Sequence, residues 1–187
     1  ERDLMSYEAE SMKFGASLNY RPLGDDRLEI IWNSKFGNGN TIYQGTNRYN
    51  IKNFFMEQHK LEVRGKNFFV RGYMTSEDAG DSYDTRFAAI NINREWKSDA
   101  EWFQQYAGAF LGAIPGVPAG NHQAARAVAD TGRLIPGTPG FQAAFDKITT
   151  DPDLITGSKF QDNTKLYHAD ANLNLGDYID WAEVQVG

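Results

Sequence analysis

The densest group of oxygen ligands in the chain is Glu77, Asp78, Asp81 and Asp84, four carboxylates within eight positions. Such a group is able to hold a hard cation such as calcium. Its spacing lacks the alternating aspartates and closing glutamate of an EF-hand, so an ordinary solvated loop is expected and no metal is assigned. His59, His122 and His168 are scattered, without the HExxH spacing that puts two imidazoles on one helix face, and are expected at polar or loop positions. Glu29, Glu57, Asp170 and Glu183 could be paired for glycosidase chemistry, but any acidic chain offers such pairs. Gly37, Asn38, Gly39 and Asn40 make no phosphate loop, because no helix with a lysine follows them. The sequence has no cysteine, which removes thiol nucleophiles, Cys zinc sites and disulfides together. No catalytic residue and no cofactor is therefore assigned. The aromatic residues of the loops say more: Tyr43, Tyr49, Tyr83, Trp102 and Tyr106 could stack on a sugar or grip a peptide side chain. Internal packing is the competing role, above all for Trp102 and Phe103.

The stretch that organises the scaffold spans residues 50–76. Phe68, Val70, Gly72 and Met74 alternate with Phe69, Arg71, Tyr73 and Thr75, the period-2 pattern of a strand with two different surroundings. Arg64, Gly65, Lys66 and Asn67 interrupt it, and Gly and Asn tolerate the positive φ of tight hairpin turns, so a long β-hairpin is predicted. Arms of this length match the ~9–11 residues with which a tilted strand crosses a bilayer. A second hairpin is predicted from strands over 11–21 and 27–36, joined by a turn over Pro22, Leu23, Gly24, Asp25 and Asp26, and a medium loop over 37–49. From 77 to about 165 the strand pattern stops. There Ser98 before Asp99 and Glu101, Asn121 before an apolar-periodic run, and Thr138 before Pro139 predict three helix starts. Strands resume over 167–175, turn at Gly176 and Asp177, and return over 179–187.

Connections that run short, medium, short, very long, short are the arrangement of outer-membrane barrels, with short turns on one side and long loops on the other. The expected fold class is thus all-β: antiparallel strands forming an arc of a large transmembrane barrel. Residues 1–76 supply four strands, 77–165 a partly helical extracellular loop, and 166–187 two more strands. Phe14, Leu18, Leu28, Ile30, Trp32, Phe68, Val70, Leu173 and Val184 are expected to face lipid. Tyr20, Trp32, Phe36, Phe69 and Tyr167 are candidates for aromatic girdles. Lys13, Asn19, Glu29, Asn33, Lys35, Arg71, His168, Asp170, Asn172 and Asn174 are expected to line a lumen. Six strands fall short of the ~8 of the smallest membrane barrels, so the expectation is a segment of a longer barrel.

Composition sets the outer bounds. With 41% apolar residues the 187-residue chain is of globular type and not disordered. No apolar run approaches the ~18 residues of a spanning helix, whereas alternating strands keep mean hydropathy low whether or not they span. A net charge of -6 without clustered Lys and Arg argues against a nucleic-acid partner. A soluble all-β ligand-binding module with a helical cap remains the alternative.

The run from Ile31 through Phe87, together with LIPGTPGFQAAFDKI and GSKFQDNTKLYHADANLNL, resembles the barrel region of TonB-dependent outer-membrane receptors that carry a carboxypeptidase-like regulatory domain. The resemblance implies a 22-stranded barrel with a plug in its lumen, importing a nutrient such as a glycan, peptide or metal chelate across the bacterial outer membrane. It implies as partners the membrane lipid, the rest of the barrel and plug, the TonB complex and a surface lipoprotein. No plug-like segment or energy-coupling box is found in these residues, so those functions are expected of a parent chain.

Overall fold

A computed structural model of the chain describes residues 2–179, 181–182 and 184–187. A short 3-10 turn, Arg2–Leu4, precedes β1 (Glu10–Tyr20), β2 (Leu28–Gln44), β3 (Arg48–Gly65), β4 (Phe68–Asp78) and the two-residue β5 (Tyr83–Asp84). Four helices follow, α1 (Thr85–Trp96), α2 (Asp99–Phe110), α3 (His122–Ala129) and α4 (Pro139–Thr150), and then β6 (Lys165–Asn174) and β7 (Gln185–Val186). The fold is mostly antiparallel β-sheet, in the order β1-β2-β3-β4-β6-β7 with β5 beside β3, and the described strands do not close on themselves. What is present is therefore an open sheet and not a barrel of 22 strands. The chain divides into two compact units: Glu1–Tyr7 with Ile42–Asn50 and Asp81–Phe160, and Glu8–Thr41 with Ile51–Gly80 and Gln161–Gly187.

In the second unit, pairing of β1 with β2 runs from Glu10 opposite Asn40 to Tyr20 opposite Ile30. The loop expected over 37–49 is thereby corrected. Gly37, Asn38, Gly39 and Asn40 are ladder residues, and only residues 45–47 separate β2 from β3. Local propensity, which reads Gly and Asn as breakers, yields here to cross-strand pairing. A Cβ on Gly39 would lie 2.6 Å from the Glu10 carbonyl, so the close approach itself selects glycine.

The long hairpin forms as expected, with Phe55 opposite Asp78 and Arg64 opposite Phe69, but its turn works differently. Neither Gly65 nor Asn67 has a positive φ. Gly65 is required by space: an added Cβ would meet the Phe68 ring at 2.5 Å and the Arg27 carbonyl at 3.2 Å. The Lys66 ammonium and the Asn67 amide each donate to Asp177 at 2.8 Å, which ties this turn to the next one. β6 then pairs with β4 from Phe68 opposite Leu173 to Ser76 opposite Lys165. The expected strand over 179–187 is also corrected. Asp180 and Glu183 lie outside the described residues, and the pairing that is described is Leu173 with Val186 and Asn174 with Gln185. The amides of Tyr178 and Ile179 both bond back to the Leu175 carbonyl, at 2.8 and 3.0 Å, so the chain coils before it can pair.

Because side chains alternate along each strand, these registers sort the sheet into two faces. One carries Met12, Phe14, Leu18 and Tyr20 of β1, Trp32 of β2, Phe55 and Leu61 of β3, Phe68 and Val70 of β4, Tyr167 and Leu173 of β6 and Val186 of β7. All twelve are exposed, Phe14 at 65%, Leu18 at 62% and Val70 at 53%. The other face is polar, with Tyr43, Met56 and Leu166 among its large exposed apolar exceptions. Phe69 belongs to this polar face, opposite Asn172, so it is removed from the candidate girdle residues.

The first unit has a core of its own, in which Ile92, Phe141 and Ile148 are buried together against Leu4, Leu134 and Phe145. Each helix starts on a side-chain cap that satisfies an orphan amide. Ser98 accepts from the Glu101 amide at 3.2 Å, Asn121 from Ala124 at 3.0 Å and Thr138 from Phe141 at 3.3 Å. α1 was not anticipated. Its cap, Asp84, accepts from the amides of Arg86 at 2.8 Å and Phe87 at 3.1 Å.

Candidate ligand-binding site

All ten residues expected to line a lumen share the polar face of the sheet. Glu29, nearly buried, accepts from Arg64 at 2.6 and 2.8 Å and lies 3.5 Å from Arg21. Arg71 donates to Asp170 at 2.8 Å and its guanidinium stands 5.0 Å over the Phe69 ring. His168 stacks on Tyr73 with ring centres 4.9 Å apart, its Nδ1 3.6 Å from Asp170. Gln58 donates to Thr75 at 3.3 Å, and Lys60 to Glu62 at 2.8 Å. The face is thus a lattice of paired charges, in which β2 meets β3 through Glu29 and Arg64 and β4 meets β6 through Arg71 and Asp170.

Besides polar residues such as Asn38, Ser76 and Lys165, the apolar face carries a hydrogen-bonded polar group within it. The Ser34 hydroxyl and His59 Nδ1 are 2.6 Å apart, and His59 Nε2 is 3.6 Å from Glu57. A serine, an imidazole and a carboxylate in sequence are the parts of a nucleophilic relay. Exposure decides against it: Ser34 is 1% exposed, beside Ala16 in the β1–β2 ladder, and no substrate carbonyl can reach its oxygen. The three side chains instead satisfy one another, as polar groups within an apolar surface must.

The loop aromatics separate into three groups. Tyr43 lies 6.1 Å from Tyr49, whose ring meets Phe160 edge-on at 5.4 Å. Tyr83 is buried at 6% exposure, its ring against Phe145 at 5.5 Å and its hydroxyl donating to the Leu4 carbonyl at 2.8 Å. Burial pushes its phenol up to about 12, and it is packing rather than binding surface. Trp102 and Tyr106 belong to a stack on α2, parallel at 5.3 Å, that continues through Phe110 to His122 on α3. The Tyr106 hydroxyl is hydrogen-bonded to His122 Nδ1.

The stack ends at a cavity of about 410 Å³, lined by Asn93, Trp96 and Lys97 from the end of α1, Asp99 and Trp102 from the start of α2, Arg126 and Asp130 from the end of α3, and Arg133. Trp102 presents one face to Tyr106 and donates its indole N–H to Asp130 at 2.8 Å. Lys97 is fixed by three contacts: it donates to Gln105 at 2.7 Å and to the Ala129 carbonyl at 2.5 Å, and stands 4.4 Å over the Trp96 ring. Asp99 is neutralised by Arg94 at 2.9 Å. Arg126 and Arg133 have no carboxylate partner among the described residues. Sequence reasoning found Trp102 but missed Trp96, Lys97, Arg126 and Arg133, which come together only because α1, α2 and α3 converge. Their one signal was Asp84 followed by Thr-Arg-Phe, the unread start of α1.

Two of the four acids at 77–84, Asp78 and Asp84, are local caps. Asp78 accepts from the Gly80 amide at 2.8 Å, and Asp84 caps α1 while accepting from Asn47 at 2.6 Å. Among the described residues no cluster of His, Cys, Asp and Glu could hold a metal ion. No protein-family model, curated protein or solved structure matches the chain.

Proposed function

We propose that the chain forms an arc of the membrane-spanning sheet of an outer-membrane transporter of the TonB-dependent type, together with an extracellular helical unit that takes part in ligand capture. The observation that carries this reading is the pair of opposed faces, one with twelve exposed large apolar side chains and one laced with ion pairs. Leaving those twelve half-exposed to water forfeits on the order of 10 kcal/mol, comparable with the whole net stability of a domain. Hydrocarbon against that face removes the penalty, and a polar lumen suits the other. β1 and β4 have 11 residues and β6 has 10, the length of a tilted crossing. β2 and β3, with 17 and 18, continue beyond it. In lipid the free edge of β1 needs a further strand, which the rest of a 22-stranded parent barrel supplies. That barrel's plug, the membrane lipid, the TonB complex and a surface lipoprotein are the partners this reading calls for, in the bacterial outer membrane.

One observation favours the alternative, a soluble binding module whose apolar face is covered by protein: Glu57, His59 and Ser34 sit on that face. Fractionation separates the two. After carbonate washing, a membrane-spanning sheet stays with the membranes and is released only by detergent. Release of the protein by carbonate, or a sharp cooperative melt of the purified monomer in plain buffer, contradicts the transporter.

A further inference from the structure

We infer that the cavity between α1, α2 and α3 is a subsite for a carboxylated sugar ring, a hexuronate. The inference deepens the capture role proposed above and rests on it, but it is argued from the cavity's own side chains.

Charge comes first. The chain carries a net charge of -6, yet this cavity gathers Lys97, Arg126 and Arg133 against Asp99 and Asp130, and Asp99 is already satisfied by Arg94. Two guanidiniums without acid partners therefore face one small space. A planar guanidinium binds a carboxylate through two parallel hydrogen bonds, a match in shape as well as charge. The ends of α1 and α3 would oppose an anion through their terminal carbonyls. Lys97 offsets this, because its ammonium is already bonded to the Ala129 carbonyl near the end of α3.

Shape and polarity then narrow the ligand. Tyr106 covers one face of the Trp102 indole and Lys97 stands over the Trp96 ring, so each indole keeps a limited apolar surface for the C–H face of a ring. Around them are groups suited to hydroxyls. The Trp96 indole N–H has no acceptor among the described residues, and Asp130 uses one carboxylate oxygen for Trp102. Asn93 donates to the Ala89 carbonyl at 2.9 Å and keeps its own oxygen. A purely aromatic acid would leave these groups unpaired, which costs binding; a neutral sugar would leave both guanidiniums unpaired. A ring with hydroxyls on its edge and one carboxylate uses all of them, and about 410 Å³ suits a single such ring.

The test titrates the full chain in detergent with sodium galacturonate, galactose and sodium benzoate, reading ligand saturation-transfer NMR and tryptophan emission. Galacturonate is expected to bind saturably, with galactose and benzoate each weaker by about tenfold or more. Arg126→Gln and Arg133→Gln are each expected to weaken galacturonate by about fivefold or more. Both side chains are exposed and unpaired, so far-UV circular dichroism is expected not to change. The inference is overturned if galactose or benzoate binds as tightly as galacturonate, if the double variant binds like the parent, or if galacturonate shows no saturable binding. A negative titration of protein that stays in carbonate-washed membranes removes the hexuronate site alone. Saturable binding by protein that carbonate releases removes the transporter and leaves the site.

Discussion

Tyr83 and Asp151 carry the pH dependence of the helical unit, from opposite ends of the scale. The Tyr83 phenol ionises near its ordinary ~10 in the unfolded chain but only at about 12 when folded, because burial penalises the charged form. Its contribution is therefore complete below pH ~10 and is lost as the pH rises toward the folded value. The helical unit is expected to unfold in step with phenolate absorbance over that window, and Tyr83→Phe, lacking the bond to Leu4, to lose about 1 kcal/mol while abolishing the coupled step. Asp151 is held below the usual carboxylate range, first by the Thr156 hydroxyl at 2.7 Å and then by the Asp153 amide at 3.0 Å. A depressed carboxyl stabilises above its unfolded pKa, ~3.9, and the benefit is lost as the pH falls through the folded value. Amide exchange across 151–158 is expected to accelerate below that point, and Thr156→Val to reduce the acceleration without removing it, since the Asp153 amide still donates to Asp151. At this scale the sequence was only partly legible. Tyr83 reads as a loop aromatic because nothing in its neighbourhood announces Leu4, 79 positions away. Trp102 and Tyr106 are brought together because they lie one helix turn apart, and both are half-buried in the α2 stack.

Hairpins and helices were easier to read than residues, for a physical reason: caps and alternation are local. Ser98, Asn121 and Thr138 each cap the helix expected of them, and the alternation of β1 and β4 is the alternation seen. The misreadings occur where tertiary pairing overrides local preference. Gly37, Asn38, Gly39 and Asn40 look like loop and are held as strand by β1. α1 escaped notice because Asn91 and Asn93 break its apolar spacing, although Asn91 is buried and donates to the Gly157 carbonyl at 2.7 Å. Gly65 separates two explanations of the long hairpin. Replacing it with alanine is expected to cost about 1–3 kcal/mol through contact with Phe68, read as a lower midpoint in a reversible urea titration of detergent-folded protein. The exposed Lys66–Asp177 pair is expected to contribute too little to move that midpoint when Lys66 becomes alanine. An unchanged midpoint for Gly65→Ala indicates a turn that relaxes, not one set by close approach.

For the molecule as a whole, two sheet faces of opposite character are the feature that sequence and structure share. Alternation alone placed Lys13, Asn19, Asn33 and Arg71 opposite Phe14, Leu18, Trp32 and Val70, and the registers keep them so. The phase between the hairpins was not legible, since it depends on how β2 meets β3. Glu29 with Arg64 on one face and Ser34 with His59 on the other fix it. Adjacent residues can then be set against each other. Leu18→Arg is expected to lose about 2–4 kcal/mol of folding stability in lipid, as a charge at mid-bilayer does, and Asn19→Arg to lose little. Equal losses contradict the assignment of faces.

The most direct measurement uses the absence of cysteine, which allows single nitroxide labels without background. Cysteines at positions 68 to 75 along β4, in protein reconstituted into vesicles, are scanned for collision with oxygen, which concentrates in hydrocarbon, and with a water-soluble nickel complex. Oxygen collisions are expected to peak at 68, 70, 72 and 74 and nickel collisions at 69, 71, 73 and 75. Equal access of the nickel complex to both sets would show water on both faces and contradict a spanning sheet.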